Sequence, residues 1–280
     1  MEGGRRPAAR GRQRGGSDVG ARILVAIPAI AFAAFIVSQG GEVFAAGAAL
    51  LGIVAMGELY GMMNRVRPAA LAGFVALLGL CAAALYGDQD QILLVLAASV
   101  PVTFVLSLLR PQRDHISWAM AATFLGIVWI GLAFAHAILL RESGHGGALL
   151  LDVLIGTFLT DTCAYFVGRA WGRRPIAPRI SPNKTLEGLI GGIVGGTFFF
   201  WLFAIAYQHD WFKGPDALLI GFCVALATPL GDLFESAIKR DLDVKDAGRL
   251  FGAHGGVLDR LDGLFFSVVV GYYVSQAVLG

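Results

Sequence analysis

From residue 23 onward the chain is a succession of apolar stretches, each close to the roughly 20 residues a helix needs to cross a hydrocarbon core of about 30 Å. They run over 23–38, 43–61, 68–86, 91–109, 118–140, 148–168, 187–207, 216–236 and 264–279. A backbone in lipid must bond within its own helix or close into a barrel. These stretches are continuous rather than alternating, which argues against a barrel. The expected fold is therefore all-α, a polytopic integral membrane protein of nine transmembrane helices. Composition points the same way. Only 15% of the 280 residues are charged, against about 25% in soluble domains, too few to cover a water-facing surface of this size. An ordinary soluble domain is excluded, as are disorder and a nucleic-acid-binding surface.

The net charge of +2 says little, but the placement of the basic residues says more. With a cytoplasmic N-terminus and nine helices, 20 of the 22 Lys and Arg residues fall on the cytoplasmic side, and only Arg141 and Lys213 fall outside. The external breaks hold acids such as Glu42, Asp88, Asp90 and Asp210. This asymmetry is the positive-inside pattern. Three regions are expected: a disordered basic cytoplasmic tail over 1–22, a transmembrane scaffold over 23–147, and a catalytic region over 148–280 with its active-site loops in the cytoplasm. The first apolar stretch also resembles a signal sequence, but its length favours a retained helix. Cys81, Cys163 and Cys223 lie in apolar segments without metal-ligand spacing and read as small hydrophobes.

Polar groups at membrane depth are expensive, so each asks for an explanation. Glu58 lies near a helix end, His136 reads as a packing histidine or an interfacial one rather than a ligand, and Asp152 lies near an outer end within reach of interfacial water; none is given a chemical role. The break over 169–184 holds five basic residues and three prolines, ending in Ser181-Pro-Asn-Lys184-Thr185. Thr185 or Asn183 is placed to cap the following helix, leaving Lys184 beside free N–H groups that suit an anion. A topogenic basic loop against anionic headgroups explains the same residues equally well.

The segment 231–263 is more specific. Asp232, Ser236 and Lys239 are spaced i, i+4, i+7 and share a face if the helix continues. Asp259 and Asp262 share another face three residues apart. Between them stand Lys245, Arg249, His254 and the Gly255-Gly256 pair, whose backbone can approach a ligand closely. Separated oxygen ligands suit Mg²⁺, which takes one or two protein carboxylates and fills its shell with water and phosphate. Nearby cations neutralise charge in phosphoryl-type transfer. The combination indicates a metal-dependent phosphate reaction at a membrane face.

Ser236-Ala-Ile-Lys-Arg240, then Lys245-Asp246, then His254-Gly-Gly-Val-Leu-Asp259-Arg-Leu-Asp262 resembles the signature of the phosphatidate cytidylyltransferases, or CDP-diacylglycerol synthases. Asp161-Thr-Cys-Ala-Tyr165 with Gly168, Ile180-Ser-Pro-Asn-Lys-Thr185 with Glu187-Gly188 and Gly191-Gly192, and Gly231-Asp232 match the same family. The likeness covers residues 152–263; the first 150 match only as apolar helices. Two mild departures, Gly252-Ala253 before His254 and Gly263 after Asp262, touch loop shape rather than charge.

The resemblance implies a reaction of CTP with phosphatidic acid, giving CDP-diacylglycerol and pyrophosphate with Mg²⁺; a second cation is left open. Its metal ligands fall on Asp232 and Asp259, with Asp262 a further ligand, and its functional lysine on Lys239. Ser236 and Arg260 join the catalytic set, Arg260 beside Lys239 neutralising charge. Ser181, Lys184, Arg240, Lys245, Asp246, His254, Gly255 and Gly256 are expected to meet substrate. The implied setting is the bacterial inner membrane among membrane lipids, with the site facing the cytoplasm; homodimer formation stays open. The alternatives are a cytidylyltransferase for another lipid phosphate and a cation-coupled transporter, although a transporter should hold its acids near the midplane and show two similar halves.

Overall fold

The structure is a computed structural model that describes residues 28, 30–109, 115–208, 210–248 and 255–280. The expected tail over 1–22, the opening of the first stretch, Arg110, Arg113, Arg249 and His254 lie outside the described residues. The chain divides into two compact units, Met1–Phe35 and Ile36–Gly280. The first is described only at 28 and 30–35, and those residues are helical.

The helices are α1 (Ile30–Gln39), α2 (Gly41–Met62), α3 (Ala70–Tyr86), α4 (Gln89–Leu108), α5 (Ile116–Glu142), α6 (Gly146–Trp171), α7 (Leu186–Gln208), α8 (Gly214–Asp241) and α9 (Leu258–Leu279). Among the described residues seven are long and apolar enough to cross a membrane, while α1 and α3 are apolar but shorter. The protein is an all-α polytopic integral membrane protein. Among the described residues one hairpin interrupts the helices, β1 (Pro175–Ala177) paired antiparallel with β2 (Ser181–Thr185).

Local chemistry fixes the helix ends. Asp88 opens α4 with a capping box, Oδ1 accepting from Asp90 N at 2.8 Å and Gln91 N at 3.3 Å, while Gln91 Oε1 accepts from Asp88 N at 2.7 Å. Thr185 caps α7 as expected, Oγ1 accepting from Gly188 N at 3.2 Å. Two helices outrun their apolar stretches: α8 continues to Asp241 and α9 begins at Leu258 rather than 264. Lys239, Arg240, Asp259 and Asp262 ended the hydropathy pattern without ending the helix, because their side chains lie at a polar end of the bundle.

Packing rather than hydrophobic force joins helices in lipid, and small residues permit the closest approach. Gly188, Gly192 and Gly196 recur every four residues along α7 and are buried. A Cβ at Gly192 would stand 2.9 Å from the Thr160 carbonyl and one at Gly188 would stand 3.0 Å from Gly168 Cα, so α6 and α7 meet backbone to backbone. Phe200, fully buried, fills the space that Gly156 and Gly221 leave. On the other side Leu59, Leu77, Leu80, Ile127 and Ile130 form a core of α2, α3 and α5. Within α5, Gly126–Gly131 adopts π geometry. Tyr60 of α2 lies against Gly126 and donates its hydroxyl to the Thr123 carbonyl at 2.9 Å.

Candidate active site

A cavity of about 640 Å³ opens where the ends of α6, α8 and α9 meet the hairpin. Its charged lining comprises Asp161 and Arg169 of α6, Lys184 of β2, Asp232, Glu235 and Lys239 of α8, and Asp259 and Asp262 of α9, with Asn183 and Thr185 of β2 beside them. Ala164, Tyr165, Ile176, Leu189 and Pro229 also line it. The acids of α8 and α9 come together because those helices touch there: a Cβ at Gly231 would collide with the Asp262 carbonyl, and one at Gly263 would stand 3.0 Å from Thr228. A side chain at Gly231 would prise Asp232 away from Asp262.

The charges form two groups that meet where Glu235 faces Asp262. In the first, Lys239 Nζ donates to Glu235 Oε2 at 2.6 Å and Asp259 Oδ1 at 2.8 Å. Asp259 also accepts the Ala247 N–H on both oxygens, at 3.1 and 3.0 Å, and the Gly256 N–H on Oδ2 at 2.7 Å. Its carboxylate thus joins Lys239 to the backbone at Ala247 and Gly256. In the second group Asp161, Asp232 and Asp262 repel one another. Asp232 has Lys184 at 2.5 Å and accepts the Ser236 hydroxyl at 3.3 Å, and Asp262 Oδ1 accepts the Gly263 N–H at 2.8 Å.

Of the residues predicted from sequence, Lys184, Asp232, Lys239, Asp259 and Asp262 line the cavity, and Ser236 supports Asp232. Ser181, half-buried, starts β2 opposite Ala177. Arg240 is exposed and donates from Nε to the Ile180 carbonyl at 3.1 Å, tying the hairpin turn to α8. Glu187 Oε2 steadies the other side of the hairpin, accepting from Arg173 N at 2.9 Å and Arg174 N at 3.2 Å. Lys245 and Asp246 are exposed in the loop after α8, and Arg260 is exposed in the first turn of α9. His254 lies outside the described residues. Gly255 and Gly256 are buried, and what presses on them is protein: Gly255, at φ +82°, faces Asp259 Oδ2, and Gly256 faces the Glu58 carboxylate.

Three acids were given no role from sequence. Glu235 stands i, i+4 from Lys239, a spacing that could have marked it. Asp161 was visible only as a motif position, since its neighbours lie on α8 and α9. Glu58 was set aside as a helix-end residue, yet it reaches the loop before α9. Asp152 is corrected as well. It does not face interfacial water but is buried, 2% exposed, and accepts Gln208 Nε2 at 2.8 Å. His136 is a packing histidine, its ring nitrogens 2.7 Å from the Leu132 carbonyl and 3.1 Å from the Tyr273 hydroxyl.

Among the described residues no three acid, His or Cys side chains converge as a ready-made metal centre. The donor set nonetheless suits Mg²⁺. Five carboxylates line the cavity against Lys184, Lys239 and Arg169, a formal surplus of two negative charges, and all the donors are oxygens. Asp232 and Asp262 are neighbours with oxygens left to share, and Mg²⁺ uses one or two carboxylates beside water and phosphate.

The cytidylyltransferase family model matches residues 20–278. The chain is 32% identical over 252 residues to a protein of Staphylococcus epidermidis named phosphatidate cytidylyltransferase, covering 88% of this chain and 94% of that protein. It is 31% identical over 264 residues to the Bacillus subtilis protein of the same name, covering 92% and 97%. Against that of Mycobacterium leprae it is 39% identical over 164 residues, 58% of this chain and 51% of that protein. The acid-lined cavity at the helix ends thus lies within the matched residues, and the chain belongs to the cytidylyltransferase family.

Proposed function

We propose that this protein transfers a cytidylyl group from CTP to phosphatidic acid, releasing pyrophosphate and CDP-diacylglycerol for phospholipid synthesis. The observation that carries the reading is one cavity lined by both kinds of residue: cations and carboxylates together with apolar side chains of the spanning helices. A lipid phosphate needs both. Its diacyl tail stays among apolar helices while its phosphomonoester meets the charged end. The names of the relatives support the choice of substrate pair.

In this mechanism a phosphate oxygen of phosphatidic acid attacks the α-phosphorus of CTP. The new P–O bond forms as the bond from the α-phosphorus to the bridging oxygen breaks, and pyrophosphate leaves with that electron pair. No side-chain nucleophile is required, because the attacking phosphate is already an anion at neutral pH. Lys184 and Lys239 neutralise charge on the phosphates, and Arg260 in the first turn of α9 adds to the positive field. Lys184 is held by Asp232, and Lys239 by Glu235 and Asp259, so both cations are fixed before substrate arrives. Asp232 and Asp262 would hold Mg²⁺, with Asp161 beside them, and Asp259 would serve chiefly to order the loop. When bound, Mg²⁺ supplies charge neutralisation on the triphosphate oxygens.

The inner membrane, a cytoplasmic N-terminus and a site facing the cytosol belong to the same proposal. Their support is the bias of 20 of 22 basic residues to one side in the nine-span arrangement. The test is wild-type protein in detergent, given phosphatidic acid and each of CTP, UTP, ATP and GTP, and then CTP with other lipid phosphates. The expected result is pyrophosphate and CDP-diacylglycerol in equal amounts with CTP and phosphatidic acid. Absence of product, or a clear preference for another lipid phosphate, would overturn it.

A further inference from the structure

We infer that Glu58, on α2, is a positioning residue for the active site: it caps the N-terminus of α9 from the opposite half of the chain and thereby fixes Asp259 and Lys239. The inference rests on the cytidylyltransferase reading above. A helix start leaves backbone N–H groups without intrahelical partners, and Val257, at the N-cap of α9, has no side chain that can accept from them. Glu58 supplies the acceptor. Its Oε1 takes the Val257 N–H at 3.2 Å and its Oε2 the Leu258 N–H at 2.8 Å, across 199 and 200 residues of sequence. A carboxylate at a helix N-terminus is also favoured by the helix dipole.

The loop is shaped to receive this carboxylate. A Cβ at Gly248 or at Gly256 would collide with the Glu58 carboxylate, so both glycines leave room for it. The next turn of the same backbone belongs to Asp259, which accepts from Ala247 N and Gly256 N and pairs with Lys239. Two carboxylates therefore grip one loop, Glu58 from outside and Asp259 from inside. Of the two, Asp259 touches Lys239 in the cavity lining. Glu58 acts through it: release of the outer grip lets the first turn of α9 shift, and Asp259 and Lys239 shift with it.

The experiment compares Glu58→Ala, Glu58→Gln, Gly248→Ala and the Glu58→Ala/Gly248→Ala double variant in detergent. Turnover, KM for CTP, melting temperature and amide hydrogen exchange over 255–262 are measured for each. In Glu58→Ala, turnover should fall about tenfold or more, the scale expected for a misplaced catalytic group, with KM for CTP within about twofold of wild type. The Val257 and Leu258 amides should exchange faster. Glu58→Gln, which keeps one of the two acceptor oxygens but sets an amide N–H against the other backbone N–H, should regain only part of the turnover. Gly248→Ala should impair the wild-type background but add nothing to Glu58→Ala, because no carboxylate is left to displace. Wild-type turnover in Glu58→Ala, unchanged exchange at 257–258, or equal losses in the Ala and Gln variants that track a lowered melting temperature would overturn the inference. If wild type makes no CDP-diacylglycerol the functional reading fails instead, and the exchange data still decide whether Glu58 holds α9.

Discussion

Asp152 and Asp161 stand on the same helix, α6, and live differently. Asp152 is buried, accepts from Gln208, and does not line the acid-rich cavity. Asp161 opens on the cavity and faces two further carboxylates, Asp232 and Asp262. Between them Thr157 donates to Ser267 Oγ at 2.8 Å, another closed pair. Towards one end of α6, polar groups answer each other and serve packing. Towards the other, like charges are held together by helices that meet at glycines. Such crowding is unfavourable unless something positive enters, which is why a closed pair reads as structure and an open cluster as chemistry.

The comparison can be broken by substitution. Asp232→Asn or Asp262→Asn should cut turnover by about 10²–10³-fold, the usual scale for a lost electrostatic contact to a reacting phosphate or carbonyl. Asp262→Asn should leave the melting temperature equal or higher, since like-charge repulsion is relieved, whereas Asp232→Asn also gives up the Lys184 pair; a lowered melting temperature in Asp262→Asn would place that acid with the closed pairs. Asp259→Asn should lose about 10-fold or more in turnover and also melt lower, because the carboxylate holds Lys239 and two backbone amides. Asp152→Ala should do the reverse, lowering stability by about 1–3 kcal/mol through the unpaired Gln208 while turnover stays within about twofold of wild type. Thr157→Val should be smallest, near 0.6 kcal/mol by the average for intramembrane hydrogen bonds, with turnover unchanged. Thermal melts in detergent alongside pyrophosphate release separate these outcomes.

How much of this could be read beforehand depended on where each partner sits along the chain. Asp232, Ser236 and Lys239 lie on one helix, and Asp259 and Asp262 on one turn, so helical spacing alone grouped them. Apolar runs likewise located the helices, although they understated α8 and α9, whose ends carry the site. The partners of Glu58 lie about 200 residues away, those of Asp161 about 70 to 100, and that of Asp152 is Gln208 on another helix. No local pattern records such distances. The Gly255-Gly256 pair was legible as a place of close backbone approach, but the visitors are the carboxylates of Asp259 and Glu58.

The most direct test of the open acid cluster as the seat of transfer is pyrophosphate release by purified wild-type and Asp262→Asn proteins, with CTP, phosphatidic acid and graded Mg²⁺. Wild type should release pyrophosphate in step with CDP-diacylglycerol, only when both substrates and Mg²⁺ are present. Asp262→Asn, melting no lower than wild type, should release almost none. Wild-type turnover in Asp262→Asn, or full wild-type activity without any divalent cation, would contradict the account.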